Sequence, residues 1–139
     1  MGFIEVTDVK NLPPGSRKVL SINGKDVLVF NIDGEISAIG NVCLHKGGPL
    51  IEGRVEPKYD GCYVTCPWHG WEYNVKTGAA PPGFHDQQAL YDTLIKEDKI
   101  YVSTSPKVLP KKAEHRDKPL QDLVELRYET TRSSLNILG

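Results

Sequence analysis

RKVLSINGKDVLVFNIDGEISAI, residues 17–39, decides the fold. Three runs rich in Val, Leu, Ile and Phe are separated by two dipeptides, Asn23-Gly24 and Asp33-Gly34. Both dipeptides tolerate the positive φ that tight hairpin turns require. The reading is three antiparallel strands over 17–22, 25–31 and 35–39. Working outward, residues 62–66 alternate after a turn at Asp60-Gly61. Residues 89–96 and 99–103 predict a closing hairpin around Glu97-Asp98, and Pro81-Pro82-Gly83 forbids regular structure before it. No stretch before residue 104 has a convincing 3.6-residue period. Short strands with regular turn signals predict an all-β fold, a small antiparallel sandwich or barrel.

Composition narrows the function classes. The 139 residues suffice for one domain with a modest core. A net charge of −1 gives no hint of nucleic-acid binding. Three cysteines do not make a disulfide framework. The start, Met1-Gly2-Phe3-Ile4-Glu5-Val6, lacks the basic-then-apolar pattern of a signal peptide. No apolar run approaches the ~20 residues of a membrane span. The expectation is a soluble, cytoplasmic protein.

Two ligand-bearing motifs lie between the strands. Cys43-Leu44-His45 and Cys66-Pro67-Trp68-His69 have 20 residues between them, and each opens into glycine. Thiolates are soft donors that hold iron or zinc. One thiol and one imidazole per loop suits a mixed-ligand iron–sulfur centre. Zinc is the alternative, but zinc fingers usually place two cysteines before two histidines, whereas the order here is Cys, His, Cys, His. Cys62 reads by default as a small buried hydrophobe, with a functional thiol as the alternative. His85 and His115 sit in polar, loop-like sequence and read as surface residues. Trp71 either faces a partner or caps the centre.

The match extends beyond the ligands. Cys43-Leu44-His45-Lys46-Gly47-Gly48-Pro49-Leu50 and Cys66-Pro67-Trp68-His69-Gly70-Trp71-Glu72-Tyr73-Asn74, followed by Thr77-Gly78, resemble the two cluster loops of Rieske-type ferredoxins and of the Rieske domains of ring-hydroxylating oxygenases. The resemblance covers roughly residues 3–103. It implies a β fold with both loops at one tip and a Rieske-type 2Fe-2S cluster. By that resemblance Cys43 and Cys66 ligate one iron, and His45 and His69 the other. Gly48, Trp68, Gly70, Trp71 and Tyr73 would surround the cluster, with Leu44, Pro67 and Trp68 shielding it from water.

Formal charge then sets the potential. Two ferric ions, two sulfides and two thiolates sum to zero, against −2 for a four-cysteine cluster. Adding an electron to the neutral centre costs less Coulomb work. High-potential members of the family carry a disulfide-forming cysteine in each loop and a serine after the second His-Gly. Here those places hold Gly48, Trp68 and Trp71, while Tyr73 matches the tyrosine that reaches a cysteine sulfur. The expected potential lies toward the low end of the Rieske range of about −150 to +300 mV.

The implied function is one-electron transfer, as a ferredoxin-like carrier between a flavin-containing reductase and an oxygenase or similar acceptor. The alternative is a Rieske domain or subunit of a larger redox enzyme: a flavoprotein fusion, an oxygenase or a nitrite reductase small subunit. Catalysis by this chain alone is not expected. A mononuclear iron needs two histidines and a carboxylate, and only His85 and His115 follow residue 69.

The domain is expected to span residues 1–105. Residues 1–103 carry 10 Lys+Arg against 13 Asp+Glu, net −3, whereas 104–139 carry 7 against 5, net +2. Residues 106–139 read as a linker and C-terminal extension. Residues 106–119 are proline- and lysine-rich, so Lys111, Lys112 and Arg116 read as linker charges. One short helix is expected around Leu120, Leu123, Val124 and Arg127. The ending Leu135-Asn136-Ile137-Leu138-Gly139 resembles the first strand of flavodoxin-like and flavin-reductase domains, so the extension could open a following domain.

Overall fold

The computed structural model describes residues 2–45, 47–68 and 70–112. In chain order the strands are β1 (Phe3–Asp8), β2 (Arg17–Ile22), β3 (Lys25–Ile32), β4 (Glu35–Gly40), β5 (Arg54–Lys58), β6 (Gly61–Thr65), β7 (Glu72–Asn74), β8 (Leu90–Tyr91), β9 (Thr93–Lys96) and β10 (Lys99–Ser103). They form three antiparallel sheets, ordered β1-β10-β9, β2-β3-β4-β8 and β5-β6-β7. Among the described residues the only helical elements are two three-residue 3-10 turns, and no helix is long and apolar enough to cross a membrane.

The apolar run at the centre of β3 explains the layering. Leu28 and Phe30 point into one core with Ile39, Leu50, Val64 and Tyr73. Val27 and Val29 point into a second core with Leu12, Ile22, Tyr91, Ile100 and Val102. All four β3 side chains are almost wholly buried, each contributing about 1.5–3 kcal/mol by removal from water. The middle sheet therefore has a core on each face. The core that includes Phe30 also contains both motif cysteines.

Turn chemistry holds where residue type and φ agree. Asn23-Gly24 (φ 52° and 78°) and Asp33-Gly34 (53° and 96°) take positive φ. They set β2 against β3 and β3 against β4 in unbroken register. Glu97 and Asp98 close β9 on β10, also at positive φ.

Other expectations need correction. The turn expected at Asp60-Gly61 sits one residue earlier. Tyr59 takes φ 49°, and Gly61 opens β6. The Tyr59 hydroxyl donates to Glu72 Oε1 at 2.8 Å and its ring meets Tyr63 edge-on at 5.2 Å. These contacts compensate the unfavourable backbone. The expected strand 89–96 breaks at Asp92 into β8 and β9, which belong to different sheets. Ser103 bonds both main-chain groups of Asp92 and makes the corner.

Three strands escaped the sequence. β1 and β7 have weak alternation, and β5 contains Pro57 and three charges. An edge strand tolerates both. Residues 107–111 are paired. Val108 exchanges main-chain hydrogen bonds with Leu90, and Lys111 with Gln87. This part of the expected linker lies along residues 87–90. The expected helix, residues 135–139, His115 and Arg116 lie outside the described residues.

Candidate metal centre

Each motif loop is a short reversal held by its own main chain. In the first, Cys43 N–H donates to Gly48 O at 2.9 Å and Gly47 N–H to Cys43 O at 3.0 Å. In the second, Cys66 N–H donates to Trp71 O at 2.7 Å and Gly70 N–H to Cys66 O at 3.0 Å. The two hydrogen bonds have the same spacing in each loop, with glycine four positions after the cysteine at φ 82° and 78°. A side chain there would strain the reversal. The histidines fall at different points of this frame, two residues after Cys43 and three after Cys66. His69 and Lys46 lie outside the described residues.

The two loops meet through their cysteines. Both are buried and neither is in a disulfide. The Cys43 thiol is held above its ordinary pKa mainly by burial. Hydrogen bonds from the His45 backbone and Tyr73 oppose this, and the adjacent Cys66 thiol raises it further. Burial penalises bare thiolates, so a multivalent cation is the natural compensation. Among the described residues no three His, Cys, Asp or Glu side chains converge on one ion. A two-iron Rieske centre asks only two protein ligands of each iron. The donor set fits such a centre.

The surrounding residues fall into clear places. Leu44 N–H donates to the Tyr73 hydroxyl at 3.2 Å, and that oxygen lies 3.6 Å from Cys43 Sγ. Burial, first, and then Cys43 push the Tyr73 phenol far above its ordinary pKa, so it stays protonated. With one oxygen lone pair taken by Leu44, its proton is free to point at the sulfur. A Cβ at position 48 would lie 2.7 Å from Cys66 Sγ and 3.0 Å from the Trp68 ring. Glycine there lets the loops close together. Trp71 stacks on His45 with centroids 4.5 Å apart and planes 11° from parallel. At 7% exposure Trp71 is buried in the core that also contains Cys43 and Cys66.

Leu44 is half-buried and packs against the core that holds both cysteines, and the tip of the second loop faces solvent. Pro67 is exposed and Trp68 is 55% exposed. Cys62 is half-buried against the same core, and burial, then Asp33, raises its thiol pKa. His85 is exposed.

Sequence reasoning missed Asn41. Its Oδ1 accepts from Ile51 N–H at 2.8 Å and its carbonyl from Leu50 N–H at 2.8 Å, which ties the two ends of the first loop. A lone asparagine before a motif carries no signal for this, because its partners lie nine and ten residues on.

Comparison with known proteins agrees with this geometry. The Rieske [2Fe-2S] domain family matches residues 2–89. Apoptosis-inducing factor 3 of Homo sapiens is 33% identical over 106 residues, covering 75% of this chain but 17% of that protein. The chain thus spans about a sixth of that relative's length. The 3-phenylpropionate/cinnamic acid dioxygenase ferredoxin subunit of Photorhabdus laumondii is 30% identical over 107 residues, covering 76% of this chain and 97% of its own. The solved ferredoxin of carbazole 1,9a-dioxygenase from Nocardioides aromaticivorans superposes with a TM-score of 0.63. Its identity is 27%, over 77% of this chain and 100% of that one. By its loops, its sheets and these likenesses, this chain belongs to the Rieske [2Fe-2S] domain family, and its cofactor is a Rieske-type [2Fe–2S] cluster.

Proposed function

We propose that this chain is a one-electron carrier, with Cys43 and Cys66 holding one iron of the cluster and His45 and His69 the other. The observation that carries this reading is the juxtaposition of two buried, unbridged thiols by loops of matching main-chain frame. The bound cluster supplies reversible uptake of a single electron. The protein's part is to fix the donors. Tyr73 directs a hydroxyl toward Cys43, Trp71 holds the His45 ring plane and keeps water from it, and Gly48 admits Cys66 to the first loop.

The carrier would take electrons from a flavin-containing reductase and give them to an oxygenase or similar acceptor, in the reducing cytoplasm. Relatives named as ferredoxin components of dioxygenase systems support this partner class. A second reading is a domain of a larger redox protein, which the much greater length of apoptosis-inducing factor 3 favours.

Redox-poised electron paramagnetic resonance of the anaerobically purified chain tests the proposal. A rhombic signal from a mixed-ligand [2Fe–2S] centre is expected, with two irons and two acid-labile sulfides per chain. Colourless protein without iron would end it. Reduction by a separate flavin reductase at catalytic concentration separates the free carrier from the fused domain.

A further inference from the structure

The two loops are rooted differently. Cys66 directly follows Thr65, the last residue of β6, so the strand ladder anchors it. Cys43 stands three positions beyond Gly40, the end of β4. Asn41 is bonded to Leu50, Ile51 and Asp26, and a further contact holds the Val42–Cys43 peptide beyond it.

Gln88 fills that role. It is 3% exposed, and its Nε2 donates to Val42 O at 3.0 Å while its Oε1 accepts from Ala89 N–H at 3.1 Å. Val42 O and Cys43 N–H belong to one peptide unit, whose N–H is bound to Gly48 O at 2.9 Å. That unit is therefore pinned at both ends, once within the loop and once by a side chain from a segment 46 residues away. Two glycines make room for it. A Cβ on Gly40 would collide with Gln88 Oε1, and one on Gly78 would lie 2.7 Å from Gln88 O. Main-chain bonds from Gln88 N–H to Gly78 O and from Gly40 N–H to Ala89 O, at 2.8 and 2.9 Å, hold the segment in place.

We propose that Gln88 is a positioning residue for the iron–sulfur centre, orienting Cys43 toward Cys66 by fixing the Val42–Cys43 peptide. This rests on Cys43 being a ligand. Outer hydrogen-bond partners of metal ligands typically change metal affinity by roughly 10–100-fold.

The test compares the holoprotein with Gln88→Met, which removes both amide groups without charge, and Gln88→Glu, which keeps the acceptor and removes the donor. Asn31→Asp is the control. Asn31 is also a buried amide, whose Nδ2 bonds Leu12 O at 2.7 Å and whose Oδ1 accepts from Gly34 N–H at 2.8 Å, at a turn outside the motif loops. Both Gln88 variants are expected to release the cluster to a chelator roughly 10–100-fold faster and to shift the g values, whereas Asn31→Asp lowers thermal stability and leaves the g values unchanged. Wild-type g values and release rates in both Gln88 variants would overturn the proposal. So would a faster release that merely tracks lost stability with g values unchanged. A wild-type chain that binds no cluster refutes the ligand reading instead, and is told apart because the parent already fails.

Discussion

At the residue scale, the first prediction concerns Tyr73. Its hydroxyl accepts from Leu44 N–H and lies 3.6 Å from Cys43 Sγ, so it is placed to donate to that sulfur. A donor to sulfur favours the electron-rich reduced state. Tyr73→Phe removes a hydrogen bond of about 1 kcal/mol, which for one electron is on the order of 40 mV. The midpoint is expected to fall, by up to that amount, in a spectroelectrochemical titration. An unchanged midpoint would show that the hydroxyl serves only Leu44. Tyr73 was legible in sequence as a motif position, but the Leu44 contact that orients its proton was not, because Leu44 and Tyr73 are 29 residues apart.

At the element scale, three hairpins use the same backbone solution with different residues. Asn23-Gly24 and Asp33-Gly34 carry residues suited to positive φ, whereas Glu97 and Asp98 take φ 51° and 63° without a glycine. A non-glycine residue in that region costs about 1 kcal/mol or more. The double change Glu97→Asn, Asp98→Gly is therefore expected to stabilise the fold by roughly 1 kcal/mol, read as a higher midpoint in chemical denaturation. Strands flanking the good turns were legible, since turn and alternation agree. β5 and β7 were not, because their pairing is decided by β6 and not by their own pattern. The tail belongs at this scale too. Residues 107–111 satisfy main-chain groups of Gln87 and Leu90, in the segment that contains Gln88. A chain ending after Lys112 is the reference for truncation. One ending after Ser105 exposes that edge and loses about 1–2 kcal/mol, together with faster cluster release.

At the scale of the whole molecule, Lys99 ties the last strand to the first, bonding Asp8 at 2.9 Å and Glu5 at 3.4 Å. The Lys99 hydrogen bond holds the Asp8 carboxyl below its ordinary pKa. Its contribution is present above the ordinary aspartate value and is lost as pH falls through the depressed one. Lys99 is held above its ordinary value, first by Asp8 and then by Glu5. That contribution is present below the ordinary lysine value and is lost as pH rises through the raised one. Lys99→Met is therefore expected to lower the neutral plateau of thermal midpoints measured against pH and to flatten the acid limb below about pH 4. A parent-like acid limb would refute the assignment. The amino-acid sequence by itself determined the β class, the central hairpins and the two cysteine-histidine motifs that the family match covers, because turn residues and motif spacings are local and a few neighbours suffice to express them. Only the tertiary structure decided that β3 is buried on both faces, that Trp71 lies on His45, that Gly48 is the gap through which the loops meet, and that Gln88 holds the entry to Cys43. Each of these depends on groups distant in the chain becoming adjacent. Burial and a hydrogen-bond partner are properties of that adjacency and leave no periodic trace in the sequence.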